Sequence, residues 1–125
     1  MRVSHPKTVF EEILHRMNEE GRFEVSVLAS SDGLPIATVP SDYDFDVIAA
    51  MVAVLASVAS ETQSRVGLGG LDEVSVVAED RIRLVCRYFT MAGEEFILAV
   101  LVQPNLYYRR ATNRAIREMK RKWVG

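Results

Sequence analysis

The chain has 125 residues, 49% hydrophobic and 26% charged, which is enough apolar material for a single domain spanning 1–125 with a core of its own. Its net charge of −2 conceals a split, since residues 1–108 carry 8 Lys or Arg against 16 Asp or Glu, whereas residues 109–125 carry 7 against Glu118 alone. Neither a wholesale nucleic-acid binder nor a uniformly acidic surface fits that pattern, and the single cysteine, Cys86, excludes an internal disulfide and points to a reducing, cytoplasmic setting.

Ser4 ahead of Pro6 offers an N-cap and an early-turn proline, and Val9, Phe10, Ile13, Leu14 and Met17 then recur on one face up to Gly21. That spacing predicts an amphipathic first helix, with no signal peptide before it. His15 falls nearly opposite the apolar face and His5 at the helix start, so both are expected in solvent. Phe23, Val25, Val27 and Ala29 alternate with polar residues, Ser31-Asp32-Gly33 turns, and Leu34 to Val39 follows. This is a hairpin. Pro35 and Pro40 cannot donate ladder hydrogen bonds, which sends the second strand to a sheet edge. Asp32-Gly33 is turn chemistry rather than a phosphate loop, which would want more glycines and a following helix.

Val47 to Ala59 is a run of thirteen uncharged residues with five alanines and no Gly or Pro, so helix is its low-cost conformation. Asp42 and Asp44 stand where they can cap and charge its first turn. If the helix runs from about Asp44 to Val66 it spans roughly 34 Å, but its apolar part is too short for the ~20 residues that cross a bilayer. Phe45, Ile48, Met51, Val52, Leu55, Thr62 and Val66 share a broad face suited to a sheet. Ala50, Ala53, Ser57, Ser60 and Ser64 make a narrow small-residue stripe on another side. Either a second helix approaches that stripe closely or it faces water.

Leu68-Gly-Gly-Leu71 is a corner into a strand over Asp72 to Ala78, and Glu79-Asp80 turns into a fourth strand over Arg81 to Phe89. The glycines leave a helix and enter a strand, the reverse of the order in which a helix N-terminus meets phosphate. Ala92-Gly93 leads to Phe96 to Val102, seven apolar residues in a row, so both faces of this fifth strand are buried and it belongs in mid-sheet. Cys86 sits in an apolar strand pattern as a packed thiol. Pro104 breaks the chain and Asn105 is the expected cap of a last helix. In that helix Tyr108, Ala111, Thr112, Ala115, Ile116, Met119 and Trp123 share one face, and Arg109, Arg110, Arg114, Arg117, Lys120 and Arg121 share the other. A basic helix face is a solvated face first, and an acidic protein surface or anionic lipid are its functional alternatives. Nucleic acid is disfavoured, because no aromatic residues stand among the basic ones to stack bases.

Three stretches together, Val27-Leu-Ala-Ser-Ser-Asp-Gly-Leu-Pro-Ile-Ala37, Gly70-Leu-Asp-Glu-Val74 and Phe96-Ile-Leu-Ala-Val-Leu-Val102 with Asn105-Leu106, resemble the Roadblock/LC7 family over about Thr8 to Arg121. The resemblance implies a profilin-like α+β fold, α-β-β-α-β-β-β-α. Its five-stranded antiparallel sheet has the order 2-1-5-4-3, with the long helix on one face and the two terminal helices on the other. It also implies a homodimer built on the third strand and the long helix, and a partner among Ras-like small GTPases, as in the activators of the polarity GTPase of gliding bacteria. The small stripe Ala50, Ala53, Ser57, Ser60 and Ser64, with Val74 and Val76 of the third strand, is then the expected dimer interface. Arg65, Arg110, Arg114 and Arg117 are the candidate partner contacts.

An enzyme needs a base, a nucleophile or metal ligands converging in a pocket. Two solvent-facing histidines and one core cysteine supply no such set, so no catalytic, cofactor-binding or metal-ligating residue is expected. Two non-enzymatic alternatives to a GTPase regulator stand beside it, a scaffold subunit of a larger assembly and a small-molecule sensor. The all-apolar helix and the glycine corner point to packing rather than a cavity, against the sensor.

Overall fold

The computed structural model describes residues 6–42 and 44–123. Ser4 and His5, and the side chains of Phe45 and Met51, lie outside the described residues. Pro6 is the first residue of helix α1 (Pro6–Gly21), where its missing N–H costs nothing. His15 is exposed, as expected. Strands β1 (Val25–Ser30) and β2 (Pro35–Val39) form the hairpin. Helix α2 (Phe45–Val66), strands β3 (Glu73–Val77), β4 (Arg83–Met91) and β5 (Glu94–Val102), and helix α3 (Arg109–Lys122) complete the chain.

All strand pairs are antiparallel and the order is β2-β1-β5-β4-β3. β2, the proline-bearing strand, is an edge, and β5 lies between β1 and β4. The alternation along β5 explains its apolar run. Phe96, Leu98, Val100 and Val102 join Phe10, Leu14 and Met17 of α1 and Ala115 and Met119 of α3 in one core. Ile97 and Ala99 join Val25, Val27, Cys86, Ile48 and Val52 in a second core beneath α2. Within the first core Phe10 stacks on Trp123, and Phe96 meets Trp123 edge to face.

Two features of α2 depart from the sequence reading. Asp44 occupies the N-cap position but makes no side-chain capping bond, and Asp42 is exposed in the turn before it, so their contribution is charge near the helix start. The broad apolar face is also shorter than its periodicity, because Ile48, Val52 and Ala59 are buried while Thr62 and Val66 are exposed. Only the middle turns of this 22-residue helix lie over the strands. Gly67 ends it in the left-handed conformation at φ 79°, donating its N–H to the Gln63 carbonyl, a geometry that favours glycine.

Gly33 does a second job besides turning the hairpin. At φ 85° it brings the turn so close to α2 that a Cβ would stand 2.7 Å from Ala53 Cβ and 3.2 Å from the Ala49 carbonyl oxygen. Gly33→Ala is therefore expected to cost about 2 kcal/mol in urea denaturation, from left-handed strain plus overpacking. Ala53→Gly in the same chain should return part of that loss, and a cost under about 0.5 kcal/mol would mean that the turn and helix are not in close contact.

The last helix begins later than expected. Asn105 does not cap it but takes a left-handed turn at φ 65°, a conformation that Asn tolerates. Tyr108 precedes the first helical residue, without a side-chain cap. Ala111, Thr112, Ala115, Ile116 and Met119 are the buried residues of α3, as its periodicity predicts.

A candidate protein-docking surface on the second helix and third strand

α2 is covered on one side only. Its outward side carries Val54 and Val58, 62% and 56% exposed, four residues apart on one helical edge, and Val66 and Leu68 continue the exposure past its end. β3 has β4 as its neighbour on one side and, among the described residues, no strand on the other. Val74 and Val76 of β3 pair with Cys86 and Leu84, residues of the core beneath α2, so both valines project on the side of the sheet that carries α2. Val76 is 50% exposed and Val77, on the opposite side, 42%. An open strand edge beside exposed valines is a liability unless something covers it.

The small-residue stripe divides. Ala50, Ser57, Ser60 and Ser64 are exposed, but Ala53 is half-buried against the Gly33 turn. Ala53, Ser57 and Ser60 border a cleft of ≈ 670 Å³ between α2 and the ends of β4 and β5. The sequence reading did not foresee this half-open cleft, which runs along the flank of α2 that carries small side chains. Val54 and Val58 were also missed as surface residues. Within a run apolar on all sides, periodicity does not say which valines face water, although their i, i+4 spacing away from Ile48 and Val52 was a usable signal.

The basic candidates are also separated. Arg65 is exposed at the end of α2 and pairs with Glu61 at 3.0 Å. Arg114 pairs with Glu20 of α1 at 3.2 Å, so one basic residue of α3 is neutralised by α1, while Arg16 of α1 engages Glu118, the one carboxylate of α3, at 2.6 Å. Arg110 and Arg117 are exposed without an ion pair among the described residues. All three α3 arginines lie on the sheet layer opposite to α2, so they do not share a surface with Arg65.

One buried charge escaped the sequence reading altogether. Arg87, on β4, is 4% exposed and donates to Thr112 Oγ1 at 2.6 Å, Asn113 Oδ1 at 2.8 Å and Asp72 Oδ1 at 3.3 Å. Arg109 donates to Glu73 Oε1 at 2.7 Å and to Asp72 Oδ2 at 2.9 Å, and the Tyr108 hydroxyl donates to Glu73 Oε2 at 2.5 Å. This network ties the start of β3 to the first turn of α3. The hydrogen bond from Arg109, with the Arg87 charge behind it, holds the Asp72 carboxyl below its ordinary value despite partial burial. Burial, with a smaller contribution from Glu73, pushes the Cys86 thiol up to about 12, so the lone cysteine is a packed group rather than a nucleophile. Among the described residues no cluster of His, Cys, Asp and Glu is arranged to hold a metal ion, and no helix is long and apolar enough to cross a membrane.

A five-stranded antiparallel sheet of this order, with one helix on one face and two on the other, defines a small α+β domain. The family model of the Roadblock/LC7 domain matches residues 9–102, and the chain belongs to that family. The fold is similar to the gliding protein MglB of Thermus thermophilus, with TM-score 0.72 at 20% identity over 97% of this chain and 93% of that one. It is equally similar to Myxococcus xanthus MglB, with TM-score 0.73 at 12% identity over 97% and 91%. A Roadblock/LC7 domain from Streptomyces avermitilis gives TM-score 0.69 at 20% identity over 89% and 92%. No curated protein matches the sequence.

Proposed function

We propose that this chain is a homodimeric, non-enzymatic regulator that binds a Ras-like small GTPase in the cytoplasm and stimulates its GTP hydrolysis. The observations that carry the reading are the exposed Val54 and Val58 of α2 and, on the same side of the sheet, the exposed Val76 of β3, whose outer edge has no strand partner among the described residues. A second copy, adding its own β3 alongside, continues the sheet and covers these valines. The two α2 helices then make one composite face for the GTPase. Likeness in fold to the MglB proteins, one of them solved in a tetrameric arrangement, supports assembly of this kind.

Arg65 separates two ways of stimulating hydrolysis. An arginine finger neutralises charge developing on the transferring phosphoryl and is worth about 10³ to 10⁵ in rate. Arg65 is exposed but paired with Glu61, and it is the one basic residue between Arg22 and Arg81, so repositioning of the GTPase's own residues is the mechanism proposed. The test is single-turnover GTP hydrolysis by the Ras-like GTPase of the source organism, with saturating wild-type or Arg65→Ala protein. Both should accelerate the reaction to within about threefold of each other. A loss of ~10³ with binding retained would make Arg65 the finger, whereas neither binding nor acceleration by wild-type protein would refute the GTPase reading and leave the scaffold.

A further inference from the structure

Beyond the start of β3, the edge of β4 is open. β3 pairs with β4 from Arg83 to Arg87, and the Asp72 carbonyl accepts the Tyr88 N–H. The ≈ 670 Å³ cleft and a second one of ≈ 460 Å³ flank this open stretch, and both are lined by Tyr88, Phe89 and Lys120. They meet there as one seam running around the sheet edge from α2 to α3.

The two ends of the seam differ in chemistry. At the α3 end Arg87, Arg117 and Lys120 converge with the Asn113 amide. Arg87 is fixed in place by burial and by its bonds to Thr112 and Asn113, and its buried Nε makes no hydrogen bond but lies 4.0 Å from Glu73 Oε1. Arg117 and Lys120, three residues apart on α3, are exposed and have no ion pair among the described residues. The carboxylates beside Arg87 are already engaged, Asp72 by Arg109 and Arg87 and Glu73 by Arg109, with Arg87 Nε 4.0 Å away. Arg87 and Arg109 balance those two carboxylates, and Arg117 and Lys120 then leave a net positive site, suited to a doubly charged oxyanion.

The α2 end is uncharged along its floor and polar at its rim. Ala56, Ala59 and Ile97 line it, the Tyr88 hydroxyl is buried with no partner, and Ser57 and Ser60 supply further hydroxyls. Asp32 and Glu95 also border it. Those two carboxylates disfavour a second anionic group here and favour a body carrying hydroxyl or amino donors. A volume of this size lies within the range of small-molecule pockets.

We infer that the seam is a binding site for a small organic phosphate, with the phosphate at Arg117 and Lys120 beside the buried Arg87 and the hydroxyl-bearing body in the cleft under α2. The site is lined by one chain alone, but Ser57 and Ser60 also stand on the stripe expected to face a second copy, so sedimentation is run beside the titration, and loss of the dimer with ligand binding retained overturns only the dimer reading. Titration calorimetry with inorganic phosphate, glucose and glucose 6-phosphate decides it. Glucose 6-phosphate should bind saturably and about tenfold more tightly than inorganic phosphate, and glucose should bind weakly. The double variant Arg117→Ala, Lys120→Ala changes only exposed residues and should weaken both phosphates about tenfold or more. Thr90→Trp, on the cleft wall, should abolish the advantage of the organic ligand while inorganic phosphate still binds. Absence of saturable binding by glucose 6-phosphate, equal affinity for the two phosphates, or affinity unmoved by the double variant would each overturn the assignment. Circular dichroism melts of both variants keep the reading clear of unfolding.

Discussion

Val58→Asp combined with Val76→Asp is expected to convert a dimer into a species of one chain mass, 14.0 kDa, in sedimentation equilibrium at micromolar concentration. Both side chains are about half exposed in the single chain, so the fold itself should lose less than about 1 kcal/mol. In the proposed dimer each is desolvated against the partner, where a charge without a counter-charge costs several kcal/mol. The dimer dissociation constant should accordingly rise by at least ~10³. GTPase binding should disappear with it, because the composite α2 face exists only when both chains are present. Ala53→Arg is a poorer probe, since Ala53 also abuts the Gly33 turn and its substitution damages the chain before it reaches the interface. Wild-type protein already sedimenting at 14.0 kDa, or a double variant that keeps twice that mass, would remove the basis for the assembly.

The layered fold was legible because its strongest signals are local. Pro35 and Pro40 marked an edge, the unbroken run from Phe96 to Val102 marked the centre of the sheet, and the glycines at 33 and 67 marked a turn and a helix end. The resemblance to Roadblock/LC7 supplied the strand order, and the observed pairing agrees with it. What stayed hidden depends on residues distant in sequence. Arg87 interrupts Leu84-Val-Cys-Arg-Tyr-Phe89 as a lone charge, which was a warning, but its partners Asp72, Thr112 and Asn113 lie 15 to 26 positions away. No periodicity joins them. The orientation of α2 was ambiguous for a different reason: a helix apolar on nearly every side carries little amphipathic signal, so the outward valines and the cleft beside the small residues emerged only when the sheet was in place.

Arg87→Ala is expected to be the most damaging single change outside the apolar core, at about 3 kcal/mol, a loss of roughly 10 °C in melting temperature for a chain of this size. The side chain is 5% exposed, and hydrogen bonds to a charged group contribute about 1.5 to 3 kcal/mol, partly offset by the cost of keeping a guanidinium out of water. Its removal strands Thr112 and Asn113 of α3 and leaves a cavity between α3 and the sheet. Arg109→Ala touches the same carboxylates from a side chain that is 44% exposed, so it should cost only about 0.5 kcal/mol. Lysine is no substitute at 87, since a single ammonium cannot reproduce a planar fork that reaches partners on two elements. Acid titration gives a further check with a fixed sign. Because the folded state lowers the Asp72 carboxyl below 3.8, its ionised form stabilises the fold above that pH, and the contribution fades as pH falls through the lowered value. Asp72→Asn should therefore lower stability slightly at pH 7, with the difference from wild type closing as pH falls below the ordinary carboxylate range. Urea denaturation of Arg87→Ala, Arg87→Lys and Arg109→Ala at pH 7 tests the hierarchy. Equal losses for the two alanine variants would show that the exposed pair carries the link between β3 and α3, and that burial of Arg87 adds nothing to it.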